Sequence, residues 1–237
     1  MAGEFITLKA HDGGAFGAYL AKPQADNAPG LVLMQYICGV NKVMRGLADD
    51  FAARGYLVAV PDLFWRQQPS VQLIDDPAQP SPEEQKRALE LNAGFDDALA
   101  TEDLKATLAF VRSHPNASGT AGALGYCLGG RTAFLMAARS EIDCTVGYYG
   151  VNIDRYLDEA STIAAPLMLH IAAEDELCSA EAHDAIVAKL APNPHVTIHE
   201  YEGAGHAFAL VGGHNFNRAA AELANERSFE FLSRHLS

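Results

Sequence analysis

The sequence predicts an α/β fold, with a mostly parallel sheet covered by helices on both faces. Three observations carry this expectation. Short apolar runs alternate with segments of helical spacing along the whole chain. Several of those runs are unbroken, as strands buried on both faces require. The length of 237 residues suits one such unit and would cramp two, so a single domain over 1–237 is expected.

Residues 5–9 and 16–21 read as two opening strands around the turn His11-Asp12-Gly13-Gly14. Residues 30–36 are an apolar run read as a buried strand. Residues 41–54 have helical spacing, with Asn41 as N-cap and Gly55 as the stop. The next buried strand, 56–60, ends at Pro61-Asp62, and 66–81 is a Pro-, Gln- and Asp-rich surface loop. Ser81-Pro82-Glu83-Glu84 starts a helix, with serine as cap and proline at the first helical position. A further helix covers 99–113. Strand 121–126 runs into Cys127, and helix 131–140 follows. Strands 144–149, 166–172 and 196–201 complete the sheet, with helices at 179–190 and 217–234. No repeat or linker interrupts the pattern.

Composition excludes several function classes. Hydrophobic residues make up 49% and charged residues 20%, enough to bury a full core. Lys and Arg number 17 against 30 Asp and Glu, a net charge of −13. Such a surface repels phosphate backbones and anionic lipid, so neither nucleic acid nor membrane is expected as a partner. The N-terminus Met-Ala-Gly-Glu-Phe-Ile-Thr-Leu-Lys lacks a basic segment followed by an apolar run, and no apolar stretch reaches membrane-spanning length. A cytoplasmic location is therefore expected. The cysteines Cys38, Cys127, Cys144 and Cys178 lack zinc-binding spacing and are expected as reduced thiols, with no metal.

One motif carries chemistry. Gly125-Tyr126-Cys127-Leu128-Gly129-Gly130 has the pattern Gly-x-nucleophile-x-Gly between a strand and a helix. The turn strains the nucleophile's backbone, and small flanking residues let strand and helix approach. The Leu128 backbone N–H then faces a reacting carbonyl, while the helix N-terminus favours a thiolate. The bland alternative is an inert buried cysteine in a glycine-rich turn. An acid and then a histidine should follow in chain order. Asp175 lies just past strand 166–172, and Gly203-Ala204-Gly205-His206 follows the last strand. His206 would take the Cys127 proton, and Asp175 would orient the imidazole. Glu174 and Glu176 are rival acids. His170, inside a strand, reads as a satisfied core histidine, and His11, His114, His183, His195 and His199 as surface positions.

Over nearly its full length the chain resembles the dienelactone hydrolases (carboxymethylenebutenolidases). The carrying segments are Gln35-Tyr36-Ile37-Cys38-Gly39-Val40-Asn41, Pro61-Asp62-Leu63, the Cys127 motif, Val146-Gly147-Tyr148-Tyr149-Gly150, Asp175, Gly205-His206-Ala207-Phe208 and Ala224-Asn225-Glu226-Arg227. The resemblance implies an α/β-hydrolase fold without a large cap, a Cys127-His206-Asp175 triad, oxyanion donors at the Ile37 and Leu128 N–H groups, and no cofactor.

The chain also departs from that family. Members that cleave dienelactone hold the substrate carboxylate with two arginines, and the corresponding places here are Leu210 and Gln85. Leu89 and Asn92 stand where an aromatic pair lines the pocket, and Tyr36 replaces a glutamate beside the oxyanion loop. A less anionic substrate, a neutral ester or lactone, is therefore expected. Tyr36 either hydrogen-bonds the thiol or a substrate oxygen, or only fills space. Cys38 is read as a small buried hydrophobe or as a second thiol near the pocket. Trp65, Tyr149 and Phe208 are further expected pocket residues, with core packing an equal reading for Trp65. Two other functions stay open: hydrolysis of activated phosphate or thiol esters at the same site, and a non-catalytic binding protein on the same fold. A monomer or weak homodimer is expected.

Overall fold

The computed structural model describes residues 2–236. Eight strands form one sheet: β1 Glu4–Lys9, β2 Ala15–Ala21, β3 Ala28–Met34, β4 Leu57–Pro61, β5 Ala117–Tyr126, β6 Thr145–Tyr148, β7 Leu167–Ala172 and β8 Val196–Tyr201. Their order across the sheet is β1-β2-β4-β3-β5-β6-β7-β8. β1 and β2 pair antiparallel, β2 joins β4 antiparallel, and every remaining pairing is parallel. This is the α/β-hydrolase architecture that the resemblance implied. The parallel strands are fully buried where they read as unbroken apolar runs, as at Leu31, Val32 and Leu33.

The helices are α1 Lys42–Ala53, α2 Pro82–Ala93, α3 Asp97–Ser113, α4 Leu128–Arg139, α5 Ala180–Leu190 and α6 Arg218–Leu236. Asn41 caps α1 by accepting from the Met44 N–H, and Ser81 caps α2 by accepting from Glu84, as the sequence predicts. Met44, Phe51, Phe231 and Leu232 pack α1 and α6 on one face of the sheet. Leu104, Leu108, Ala133 and Met136 pack α3 and α4 on the other. A 3-10 helix, Ile153–Thr162, follows β6 and has no counterpart in the sequence reading. The helix expected at 131–140 begins earlier, at Leu128, because the chain turns directly from Cys127 into helix. The loop 66–81 is not purely a surface feature. Val71 is buried, its carbonyl accepts the Val40 N–H, and the Leu73 N–H donates to the Cys38 carbonyl.

The sheet's register fixes where the carboxyl ends meet. Tyr126 pairs with Tyr148, Tyr148 with His170, and His170 with His199. Their rings form a row across one face, with centroids 4.7, 4.4 and 5.7 Å apart. His170 is fully buried, with Nδ1 2.8 Å from the Tyr201 hydroxyl and Nε2 2.9 Å from Ser228 Oγ. Burial, then the nearby His199 and Arg227, hold His170 well below the ordinary imidazole range. It is therefore neutral, with both ring nitrogens satisfied. Ser228 is also 2.6 Å from the Tyr148 hydroxyl, which donates to Asn225 Oδ1 at 3.0 Å.

Ser228→Ala removes the one group that joins His170 to Tyr148, leaving a buried ring nitrogen without its partner. The expected loss is about 1–3 kcal/mol of stability, read from the urea midpoint of the variant against the wild type.

Candidate active site

Cys127 is placed by a backbone that has no room for side chains around it. At Gly125 an added Cβ would collide with the Gly129 backbone, and at Gly129 it would collide with the Met34 carbonyl. β5 and α4 can meet, and β3 can lie beneath them, only because both positions are glycine. The chain reverses at Cys127 with φ 55° and ψ −110°, a left-handed value rare for a residue with a side chain. Its N–H donates to the Tyr148 carbonyl at 3.0 Å, and the Tyr149 N–H donates to the His170 carbonyl at 2.7 Å. Tyr149 (φ 38°) and Ala207 (φ 62°) share the strained region. With Ile74 (φ 53°), four of the seven non-glycine residues with positive φ among the described residues line one cavity, where such strain concentrates.

The acid and the histidine arrive on the loops after β7 and β8. His206 Nδ1 lies 2.9 and 3.1 Å from the two oxygens of Asp175. The ring N–H at Nδ1 donates to the carboxylate, which turns Nε2 toward Cys127. Glu176, a rival acid on sequence grounds, does different work: its carboxylate accepts the His206 backbone N–H at 3.1 Å. Asn215 Nδ2 donates both to Glu176 and to the His206 carbonyl, at 2.9 and 3.0 Å. The backbone of His206 is thus clamped from two sides. Sequence reasoning missed Asn215, which lies in a loop with no periodic signal. The Tyr149 ring meets the His206 ring edge-on at 5.2 Å, and Phe208, fully buried, backs Tyr149 at 5.3 Å.

Burial pulls His206 down, but hydrogen bonds to Asp175 and Cys127 and their negative charge outweigh it and push it up to about 10. An imidazolium stabilised from both sides is what a thiol–imidazole pair needs to separate charge. Among the described residues, the backbone N–H groups of Ile37 and Leu128 find no protein acceptor. Leu128 opens α4, so its N–H is one of the helix's orphan donors.

A cavity of about 760 Å³ opens over Cys127 and His206. Of the expected pocket residues, Tyr36, Cys38, Gln85, Leu89, Tyr149 and Leu210 line it, together with Ile37, expected as an oxyanion donor. Tyr36 accepts from Asn41 Nδ2 at 2.7 Å. Burial, then the charge of Cys127, push the Cys38 thiol up to about 12, so it is protonated and inert as a nucleophile. Three expected residues lie elsewhere. Trp65 stacks on Phe16 at 5.8 Å and donates Nε1–H to Asp103 at 2.8 Å, on the far side of β4. Asn92 turns its backbone carbonyl to the end of α2 and does not reach the cavity. Phe208 supports Tyr149 from behind and does not line the space. The sequence reading also omits lining residues from α1 (Lys42, Val43, Gly46, Leu47, Asp50) and from loops (Ile74, Asp75, Leu177, Val211). Lys42 is the one Lys or Arg among the described lining residues. Arg87 faces away and bonds Gln68 and Glu90. Among the described residues no three His, Cys, Asp or Glu side chains cluster as metal ligands, and no helix is long and apolar enough to cross a membrane.

The model of the dienelactone hydrolase family matches residues 16–236. A relative from Azospirillum brasilense is 46% identical over 233 residues, covering 98% of each chain. The carboxymethylenebutenolidase of Pseudomonas putida is 37% identical over 233 residues, 98% of this chain and 97% of that one. Among solved structures, one from Klebsiella pneumoniae aligns with a TM-score of 0.80 at 24% identity, over 97% of this chain and 99% of that one. A dienelactone hydrolase-like promiscuous phosphotriesterase from metagenomic libraries aligns with a TM-score of 0.80 at 17% identity over the whole of both chains. At such identities the structural matches speak for the fold alone.

The raised value of His206 makes a signed prediction. Its folded value lies above the ordinary imidazole value of 6.5, so its stabilisation is complete below pH 6.5 and is lost as pH rises through about 10. By NMR titration the wild-type imidazole should stay protonated at pH 8. In Cys127→Ala, which removes two of the raising influences, the titration should move down. An unchanged midpoint would show that Asp175 alone sets it.

Proposed function

The chain belongs to the dienelactone hydrolase family, and from that premise we propose that it hydrolyses neutral carboxylic esters or lactones through a Cys127 thioester. The observation that carries this reading is that Cys127 and His206 line one cavity while His206 is bonded behind it to Asp175 at 2.9 Å. Two backbone N–H groups without a protein acceptor among the described residues, that of Ile37 in the cavity lining and that of Leu128 next to Cys127, support it further.

In this mechanism the Cys127 proton rests on His206 Nε2, and the thiolate sulfur attacks the carbonyl carbon. The carbonyl oxygen gains the negative charge and is held by the Ile37 and Leu128 N–H groups. The intermediate collapses as the C–O bond breaks, and His206 delivers its proton to the departing alkoxide. Water then loses a proton to His206 and attacks the thioester carbon. Collapse releases the carboxylic acid and restores the thiolate beside the protonated His206. Asp175 keeps the imidazole oriented and stabilises its charge throughout. A lactone follows the same course, except that its acid and alcohol ends leave as one molecule.

The neutral character of the substrate rests on the cavity's walls. Tyr36, Gln85 and Leu210, which stand in place of the family's charged set, all face the cavity. The charged lining side chains beyond His206 are Lys42, Asp50 and Asp75, so acids outnumber the cation. A substrate carboxylate here loses contacts that elsewhere contribute about 2–5 kcal/mol. The cell location read from the sequence, cytoplasmic, and the monomeric or weakly dimeric state belong to this proposal as well.

With a p-nitrophenyl ester the wild type should give an acylation burst and one iodoacetamide label, at Cys127. Cys127→Ala should lose turnover by about a thousandfold or more, together with the label. Turnover retained by Cys127→Ala would overturn the mechanism. In a paired assay, a neutral ester should be hydrolysed with a higher kcat/KM than a carboxylate-bearing dienelactone of similar size. The reverse preference would overturn the substrate reading alone.

A further inference from the structure

Gly46 occupies the interior of α1, where glycine is disfavoured. Nothing in the fold requires it. Its φ is not positive, and an added Cβ would meet no atom within 4 Å, in contrast with Gly125 and Gly129. The empty space belongs to the cavity over Cys127. Val43, Gly46, Leu47 and Asp50 recur at i, i+3, i+4 and i+7, so one stripe of α1 forms a wall, and Gly46 is a notch in it.

The mouth of the cavity is apolar as well. Leu89, Leu177 and Val211 are 60%, 55% and 71% exposed. They come from α2, from the loop after β7 and from the loop after β8, and all three line this cavity. They are half of the six large hydrophobic residues exposed among the described residues. Single exposed leucines need no explanation, but three that converge on a cleft with a nucleophile at its floor form a binding surface.

We propose that the cleft takes esters carrying an extended apolar chain, which runs outward from Cys127 over Gly46 between the α1 stripe and the Leu89–Leu177–Val211 rim. The inference rests on the hydrolase reading and names its substrate class. The cavity of about 760 Å³ greatly exceeds what a single-ring lactone fills. Asp50, at the outer end of the stripe, and Asp75 oppose a chain that ends in a free carboxylate, so the chain ends in a methyl group.

Acyl and alcohol sides present the same chemistry to the groove, and two substrate series separate them: p-nitrophenyl acetate to decanoate, and acetate esters of ethanol to decanol. In one series kcat/KM should rise about two- to fourfold per added methylene until the groove is filled. Gly46→Leu should cut the octyl-to-shortest-chain ratio of kcat/KM in that series at least tenfold, at a Tm equal to or above that of the wild type. Gly46→Ala should do the same to a smaller degree. A flat or falling profile in both series overturns the inference, as does a Gly46→Leu that slows short and long chains alike. An enzyme that cleaves only the shortest esters sinks the chain-binding groove and leaves the hydrolase reading standing. Absence of both turnover and Cys127 acylation brings down the two together.

Discussion

The close approach of three backbones at Gly125 and Gly129 is the constraint on which the rest of the site depends. β5 must stop, reverse and enter α4 within one residue, while β3 passes beneath the new helix. A side chain at either glycine would push these segments apart. Because they cannot separate, the residue between them is forced into φ 55°. That strain is balanced by bonds the sheet already supplies, since the Cys127 N–H reaches the Tyr148 carbonyl of the neighbouring strand. The Cys127 thiol is therefore held by the ends of the sheet, and its position is as rigid as the sheet's register.

Behind it, the row Tyr126–Tyr148–His170–His199 turns register into chemistry. Each ring stands on its own strand, and the residues after Tyr126 and Tyr148, Cys127 and Tyr149, face the cavity. His170 must be neutral to accept and donate at once, and its burial ensures that. The opposite holds for His206, where burial is overcome by partners on both sides. Two histidines with similar burial thus carry opposite tendencies, because one faces hydroxyls and the other faces a carboxylate and a thiol.

Most of this was legible in the sequence for definite reasons. Unbroken apolar runs marked the parallel strands, and Asn41 and Ser81 marked helix starts, because both signals are local. Cys127, Asp175 and His206 were legible because each lies at or in the loop just past a strand's carboxyl end, and strand ends in a parallel sheet converge. The cavity walls were less so. Trp65 follows a strand too, yet its indole N–H finds Asp103 and its ring finds Phe16 on the far side. Phe208 lies two residues from His206, but positive φ at Ala207 turns the chain, and the ring goes beneath Tyr149 instead of into the cavity. Leu177, Val211 and Ile74 sit in loops whose direction no periodicity encodes. The α1 stripe was readable as a helix face, but which face met the cavity depended on packing over β3 and β4. The 3-10 helix after β6 offered only weak spacing.

The replaced charges are best understood as one unit. A carboxylate beside the thiol is tolerable in an enclosed cleft only with a cation to pair it, and the cation is tolerable only with the carboxylate or a substrate anion. Removing one member alone would leave an uncompensated charge at a site where Tyr36 is largely enclosed. This chain has neither. The Tyr36 hydroxyl instead accepts from Asn41, which also caps α1 and donates to the Leu73 and Ile74 carbonyls. A neutral hydrogen-bond network thus occupies the place of an ion pair and ties the oxyanion loop to the helix that walls the groove. The charges that line the cleft come instead from α1, at Lys42 and Asp50, and from the loop before α2, at Asp75, and most of the remaining wall is apolar. Leu89, Leu177 and Val211 carry that wall to the mouth, and Gly46 leaves it open along α1.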